Sequence, residues 1–302
     1  GHRLLKAVIR VRFPVGSQIF KPYFINIFSD NLWRYFNNLE PGIIKHMKLF
    51  IKNRHNKNIV VVVEENLNPK GLAFIMHGLG GFKEQKHIQT FAEAFKENNF
   101  TTVIFDTTNT FGESDGNYED ATTTNYYEDL EDVINWAKTQ SWYKEPFWLV
   151  GHSLGGISTA LYAERYPQKV KALAPISTVV SGQLSIETKS ASGELQEWER
   201  TGWRETQSES KPGLIKRLKW SHMVDRMKYD LLPEVNKLTM PVLILVGDKD
   251  DSTPSEHQKI LFDALTGKKE MHVIKGAPHT FRDPEHLAEI KTIFDKWIKT
   301  NL

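Results

Sequence analysis

The stretch that most constrains this chain is Phe147-Trp148-Leu149-Val150-Gly151-His152-Ser153-Leu154-Gly155-Gly156. An apolar run ends in Gly-x-Ser-x-Gly. A helical pattern starts at once, through Ile157, Ala160, Leu161 and Ala163, and Pro167 stops it. Strand, sharp turn and helix in that order turn a common pentapeptide into a nucleophile elbow. Gly151 and Gly155 flank the serine because so tight a turn has no room for a Cβ at either place. Ser153 is then expected at the tip, in strained backbone, over the N-terminus of the next helix. The plain alternative is a strand-to-helix turn that contains a serine. The glycine spacing fits neither G-x-G-x-x-G nor the Walker A loop.

The rest of the chain alternates between strand and helix patterns. Met47 to Ile51 and Ile59 to Glu64, around a polar turn at Asn53 to Lys57, read as an antiparallel hairpin. Leu72 to Met76 reads as a buried strand ending in His77-Gly78-Leu79-Gly80-Gly81. Ile88, Phe91, Ala92 and Phe95 fall at helical spacing, and Phe100 to Phe105 is the next strand. Asn125 and Glu128 suggest a capping box for a helix reaching Trp136. Strands follow at Val170 to Ile176, Val242 to Val246 and Met271 to Ile274. A final helix carries the stripe Leu287, Ile290, Phe294, Trp297 and Ile298. Such alternation predicts an α/β architecture: a mostly parallel sheet covered by helices on both faces. After Ser177 the pattern breaks for roughly sixty residues, too long for an ordinary connection. Residues 177–238 therefore read as an inserted helical cap, between core segments 46–176 and 239–302.

Composition excludes several classes. The 302 residues are 40% hydrophobic and 25% charged with a net charge of +2, which gives no footprint for nucleic acid. The absence of cysteine removes disulfides, a thiolate nucleophile and zinc-finger spacing. No histidine and carboxylate spacing reads as a metal site, and no apolar run approaches the roughly twenty residues that cross a bilayer. Gly1-His2 stand where a methionine would open a chain and read as a remnant of expression. Residues 1–45 form an extension with Arg3, Lys6, Arg10, Arg12 and Lys21 among apolar residues, and with no acidic residue before Asp30. It is expected to pack on the domain or on a second subunit of a homodimer; weak contact with an anionic membrane surface is the alternative. Cytoplasmic residence is the expectation, with membrane association and export left open.

Five segments together carry a resemblance. They are His77-Gly78-Leu79, Gly112-Glu113-Ser114-Asp115-Gly116, Gly151 to Gly155, Gly247-Asp248-Lys249-Asp250-Asp251-Ser252-Thr253-Pro254, and Gly276-Ala277-Pro278-His279. In this order, at strand ends, they resemble the α/β-hydrolases over about residues 46 to 300, in the branch of monoacylglycerol lipases and cinnamoyl or feruloyl esterases. Asn109-Thr110-Phe111 replaces the Arg-Gly-His usual before Gly112, so substrate contacts in that loop do not carry over.

An activated serine needs a base, an orienting acid and an oxyanion hole. His279, after the last strand, is placed at the same sheet edge as the elbow, and imidazole titrates in the working range of pH. Asp248, Asp250 and Asp251 all follow one strand; the family pattern selects Asp250, with Asp248 ordering the turn and Asp251 facing solvent. The order Ser153, Asp250, His279 is that of the hydrolase fold. One oxyanion donor is Leu154 N–H, supplied by the elbow; the resemblance implies Leu79 N–H as the second.

These residues predict a serine hydrolase of carboxylic esters that needs no cofactor and takes a small-molecule ester. Thioesterase, serine aminopeptidase and carbon–carbon hydrolase chemistry are the rivals within the fold, and a non-catalytic binding module is the rival outside enzymes. A serine in the elbow disfavours the aspartate-nucleophile dehalogenases and epoxide hydrolases. His152 and the cap residues Trp198, Trp203 and Trp220 are candidate substrate contacts, which would favour a medium-sized apolar or aryl ester. The tryptophans could equally form the cap's own small core. Eight acidic residues and no basic one between Glu113 and Asp132 read as a solvated loop and helix face.

Overall fold

The computed structural model describes residues 10–11, 44–190, 193–207, 213 and 215–302. The readings made for the N-terminal extension, membrane-surface contact and packing on a second subunit, fall almost wholly outside the described residues. Only Arg10–Val11 (β1) of that segment's interior is described, paired antiparallel with Ile44–Lys52 (β2).

β2 forms the expected hairpin with Asn58–Asn66 (β3). Asn53 closes the turn: its N–H reaches Lys57 O at 3.0 Å, and its side-chain oxygen accepts from the N–H groups of His55 and Lys57. The chain continues as Gly71–Met76 (β4), Lys86–Glu97 (α1), Phe100–Phe105 (β5), Thr123–Ala137 (α2), Phe147–His152 (β6), Leu154–Arg165 (α3) and Val170–Ile176 (β7). It ends as Val242–Gly247 (β10), Ser255–Ala264 (α7), Lys269–Ile274 (β11) and Pro284–Asn301 (α8). Between β7 and β10 lie Gly182–Ser190 (α4), Glu194–Thr201 (α5), Trp203–Gln207 (β8), Ile215–Lys219 (β9) and Ser221–Arg226 (α6).

The strand order is β1-β2-β3-β5-β4-β6-β7-β10-β11, antiparallel from β1 to β5 and parallel from β5 onward. Strands β4, β5, β6 and β10 are buried along their whole length, as a sheet covered on both faces requires. One face packs on α1 and α8, where Phe91, Phe95, Phe294 and Trp297 interlock with Trp148. Burial of each such side chain stabilises by about 1.5–3 kcal/mol relative to exposure. The other face packs on α2 and α3 and runs on into the cap core.

Three local readings need correction. Thr122, not Asn125, caps α2: its hydroxyl accepts Asn125 N–H at 3.0 Å. Three consecutive threonines offered the cap, and Asn125 is drawn inward instead, to Thr108 Oγ1 and Asp129. The cap is not all helix, because Trp203 lies on a two-stranded hairpin separate from the main sheet. Nor is the acidic run simply solvated. Asp129 is buried and bonded to Asn53 and Thr108, Arg54 bridges Glu128, Glu131 and Asp132, and buried Lys83 meets Glu113.

Glu164, on α3, is 6% exposed, and its Oε1 has no partner among the described residues. Burial pushes its carboxyl up to about 8, with Lys237 opposing the shift. Below the unfolded value of 4.5 both states are protonated. As pH rises from there to about 8, the unfolded chain loses a proton that the folded chain keeps, so stability falls. Glu164→Gln is therefore expected to stabilise by about 1–3 kcal/mol at pH 8.5 and by little at pH 4.5. Urea unfolding at the two pH values checks this; a gain independent of pH contradicts it.

Candidate active site

Strand β6 delivers its last residue, His152, to the C-terminal edge of the sheet, and Ser153 then turns the chain sharply with φ 55° and ψ −115°. A serine held there costs about 1–3 kcal/mol and persists only where its surroundings over-determine it. They do so here. Ser153 N–H donates to Ile176 O at 2.9 Å, and Ser153 O accepts from Gly156 N at 2.9 Å and Val179 N at 3.3 Å. A Cβ on Gly151 would stand 2.2 Å from Gly155 O, and one on Gly155 would stand 2.4 Å from His77 O. The expected lack of room at both glycines is what the structure has.

The free side chain of Ser153 points at His279. Its Oγ lies 3.0 Å from His279 Nε2, and His279 Nδ1 lies 2.8 Å from Asp250 Oδ2. A carboxylate only accepts, so Nδ1 carries the proton and the Nε2 lone pair faces the serine hydroxyl. The Asp250 side chain has no solvent exposure. Its Oδ1 accepts from Ser252 N at 3.0 Å and Thr253 N at 2.9 Å, and Thr253 Oγ1 sits 3.0 Å from Oδ2. Burial raises its pKa, but His279 and Thr253 N–H outweigh that and hold the carboxyl below the usual carboxylate range. Asp248 orders the neighbouring loop, as expected. Its Oδ1 accepts Gly276 N–H at 2.6 Å, three residues before His279. Asp251 is exposed.

The loop after β4 faces the serine from the other side. A Cβ on Gly78 would stand 2.9 Å from Ser153 Cβ. Tyr126 pins this loop through one hydroxyl, which accepts Gly80 N–H at 3.1 Å and donates to Gly78 O at 3.1 Å. Leu79 lies between the two anchors. His77 fixes the root, with Nε2 accepting Thr107 N–H at 3.1 Å and Nδ1 donating to Gly78 O at 2.8 Å. Leu154 is the first residue of α3, so its N–H has no acceptor within the helix.

Gly78, Leu79, Gly81, Gln85, His152, Ser153, His279 and Thr280 line a small cleft of about 50 Å³ beside the serine. A larger cavity of about 280 Å³ lies at the opposite strand ends, around Asn66, Pro69, Trp142 and Tyr143, remote from Ser153 and without a histidine. Among the described residues no cluster of three or more histidines or carboxylates could hold a metal ion.

Residues 67–285 match the family model described as serine aminopeptidase, S33, a hydrolase family. The chain belongs to this family. Its fold is that of the α/β-hydrolases, shared with the ferulic-acid-bound esterase Est1E from Butyrivibrio proteoclasticus (TM-score 0.67, 23% identity, 84% of this chain and 98% of that one). Mouse alpha/beta hydrolase domain-containing protein 10 is equally similar in shape (TM-score 0.69, 21% identity, 84% and 98% covered). In sequence, a 31.7 kDa Escherichia coli protein from the traX-finO intergenic region is 26% identical over 268 residues, 76% of this chain and 91% of its own length. The bovine mitochondrial palmitoyl-protein thioesterase ABHD10 is 34% identical over 150 residues, 47% of this chain and 45% of its own length.

In this S33-family chain the remaining candidates divide. His152 is 3% exposed and donates Nε2–H to the backbone oxygen of His279 at 2.7 Å, so it braces the base from behind as well as flooring the cleft. Burial, with His279 beside it, lowers its pKa to about 3 and keeps it neutral. The cap tryptophans do not line the cleft. Trp198 is 2% exposed, donates Nε1–H to Leu218 O at 3.0 Å and meets Trp220 edge to face. Trp203 lies under the Arg217 guanidinium at 4.3 Å. They form the cap's own core and hairpin, so the selectivity argument built on them falls. Sequence reasoning missed Tyr126, Thr253, Phe111 and Tyr118. Phe111 stacks on Tyr118 at 4.5 Å, and Tyr118 Cε2 lies 2.6 Å from where a Cβ on Gly80 would stand. The departure at Asn109-Thr110-Phe111 was the one available signal, since it marked this loop as particular to the chain.

Proposed function

We propose that this serine hydrolase cleaves carboxylic esters through an acyl-enzyme. The observation that carries the reading is the unbroken line Ser153–His279–Asp250, at 3.0 and 2.8 Å, at an elbow whose serine is already strained toward the cleft. His279 Nε2 takes the Ser153 proton as Oγ attacks the carbonyl carbon. The oxyanion is held by the N–H groups of Leu79 and Leu154, one on the Tyr126-pinned loop and one at the positive end of α3. The tetrahedral centre collapses, and the imidazolium returns its proton to the leaving alkoxide, releasing the alcohol. A water then gives its proton to Nε2 and attacks the acyl carbon, which frees the acid and restores Ser153. Asp250 stays ionised throughout and stabilises the imidazolium.

The family description raises an aminopeptidase reading, which requires an anion for the substrate ammonium. No residue lining the cleft beside Ser153 is acidic, and this favours the ester. A thioester is the second reading, supported by the bovine thioesterase over its matching segment. A panel of p-nitrophenyl esters graded in acyl length and aryl character, with matched thioesters and aminoacyl p-nitroanilides, tests the assignment. The best ester is expected to exceed the best anilide in kcat/KM by at least about 100-fold, a difference of roughly 2.7 kcal/mol in transition-state binding. An anilide with a free amine as best substrate overturns it.

A further inference from the structure

The cap touches the first turn of α2, and the same turn touches the oxyanion loop. Thr122 Oγ1 takes Asn125 N–H, while Asp225 of α6 takes Thr124 N–H at 2.9 Å and Thr124 Oγ1–H at 2.6 Å. Asp225 thereby satisfies an N–H group that has no acceptor within the helix, at the positive end of the helix dipole. Thr124 Oγ1 also accepts from the Tyr229 hydroxyl at 2.6 Å. Just before the helix, His222 Nδ1–H donates to Ala121 O at 2.8 Å, and Lys219 pairs with Asp120. Residues 120–124 are thus clamped by the cap side chains Lys219, His222, Asp225 and Tyr229.

Tyr126 stands two residues beyond Thr124. It is buried, and its ring meets His77 edge to face at 5.8 Å. Its hydroxyl donates to Gly78 O and accepts from Gly80 N, both at 3.1 Å. Burial pushes that hydroxyl up to about 12, so it keeps the proton it donates. Gly78 C=O and Leu79 N–H belong to one planar peptide group, and in a trans peptide they point in opposite directions. Gly78 O is drawn by Tyr126, by Gly81 N–H at 2.9 Å and by His77 Nδ1–H at 2.8 Å. Leu79 N–H is therefore turned away from Tyr126, and three donors on the carbonyl polarise it. On the far side of Leu79, Gly80 N–H has Tyr126 as its acceptor among the described residues. Gly78 and Leu79 both line the cleft beside Ser153.

We propose that the cap sets the oxyanion hole through this turn. Asp225 and Tyr126 are positioning residues: Asp225 fixes the first turn of α2, and Tyr126 holds the Gly78–Leu79 peptide with its N–H where the oxyanion forms. Loosening the cap then slows the chemical step itself, beyond any effect on substrate capture. The proposal rests on Leu79 N–H as the second oxyanion donor, and not on an ester as the substrate.

Tyr126→Phe removes one oxygen and leaves the ring packed on His77. It is expected to lower kcat for the best p-nitrophenyl ester about 10–100-fold, less than outright loss of an oxyanion donor, with KM within about 3-fold of wild type. The rate constant for capture of Ser153 by a fluorophosphonate should fall by the same factor. Asp225→Ala should lower both rates about 5–20-fold, and Asp225→Asn, which keeps an acceptor for Thr124 N–H, should recover most of the loss. Thr124→Val breaks the same clamp from the helix side and reads it should Asp225→Ala not fold. In the double variant Tyr126→Phe/Asp225→Ala the rates should match Tyr126→Phe alone within about 3-fold, because the Asp225 effect runs through the Tyr126 hydroxyl. Melting curves establish that each variant is folded; a merely structural role would produce neither the split between kcat and KM nor this non-additivity. Unchanged rates in folded Tyr126→Phe overturn the proposal. So does a loss carried by KM, or a double variant whose loss is the product of the two single losses. Wild type that is labelled but turns over no ester sinks the ester reading, and the labelling rates of the variants then decide the proposal by themselves.

Discussion

Asp250→Asn is expected to lower kcat for ester hydrolysis about 10⁴-fold while the protein stays folded. The carboxylate is fully buried and is bonded to the base nitrogen that must carry a proton. An asparagine can keep the two N–H bonds from Ser252 and Thr253 through its oxygen. That turns its NH₂ toward His279 Nδ1 and forces the proton onto Nε2, where it blocks deprotonation of Ser153. It also leaves the imidazolium without a counter-charge. The neighbouring acids behave differently because they do other work. Asp248→Asn keeps an oxygen for Gly276 N–H, and Asp251 is exposed. Both variants should retain activity within about 10-fold of wild type, as expected where no transition-state contact is lost. Rates and melting curves for the three variants check this. A dead, folded Asp248→Asn would show that the acid had been assigned to the wrong position.

The legible parts of this site are those where backbone geometry forces residue type. Gly151 and Gly155 are visible because a Cβ at either meets a carbonyl oxygen; Asp250 is picked out from Asp248 and Asp251 only by the family resemblance, which sets the acid three residues past Gly247, in a turn that Asp250 N–H closes on Gly247 O at 3.2 Å. The buried strands were legible for a related reason: burial on both faces demands continuous apolar runs such as Val242 to Val246. Long-range contacts with no local signature stayed hidden. Tyr126 is one of two adjacent tyrosines, and nothing nearby says that its hydroxyl spans to Gly78 and Gly80. The cap hairpin escaped because its strands are not apolar alternations; it is held by pairs such as Arg217 with Glu205 and Arg217 over Trp203. Large aromatic residues in an insert over a cleft suggested substrate contacts, yet Trp198 is consumed by packing the insert itself.

The central claim, that Ser153 is an activated nucleophile, is tested most directly by covalent capture. A fluorophosphonate reacts with a serine only where a base removes its proton and N–H donors hold the developing oxyanion. It therefore reads the arrangement of Ser153, His279, Asp250, Leu79 and Leu154 without any assumption about the natural substrate. Ser153→Ala should abolish labelling and lower kcat by about 10⁴–10⁶-fold, leaving only what the oxyanion donors and binding supply. The side chain is small and caps no helix, and among the described residues its hydroxyl bonds only the catalytic imidazole, so circular dichroism and melting should stay near wild type. The decisive measurement is mass spectrometry of the probe-treated protein. The account predicts one label per chain, on the peptide that holds Ser153; a label elsewhere, or a Ser153→Ala variant that keeps more than a few per cent of wild-type activity, contradicts it.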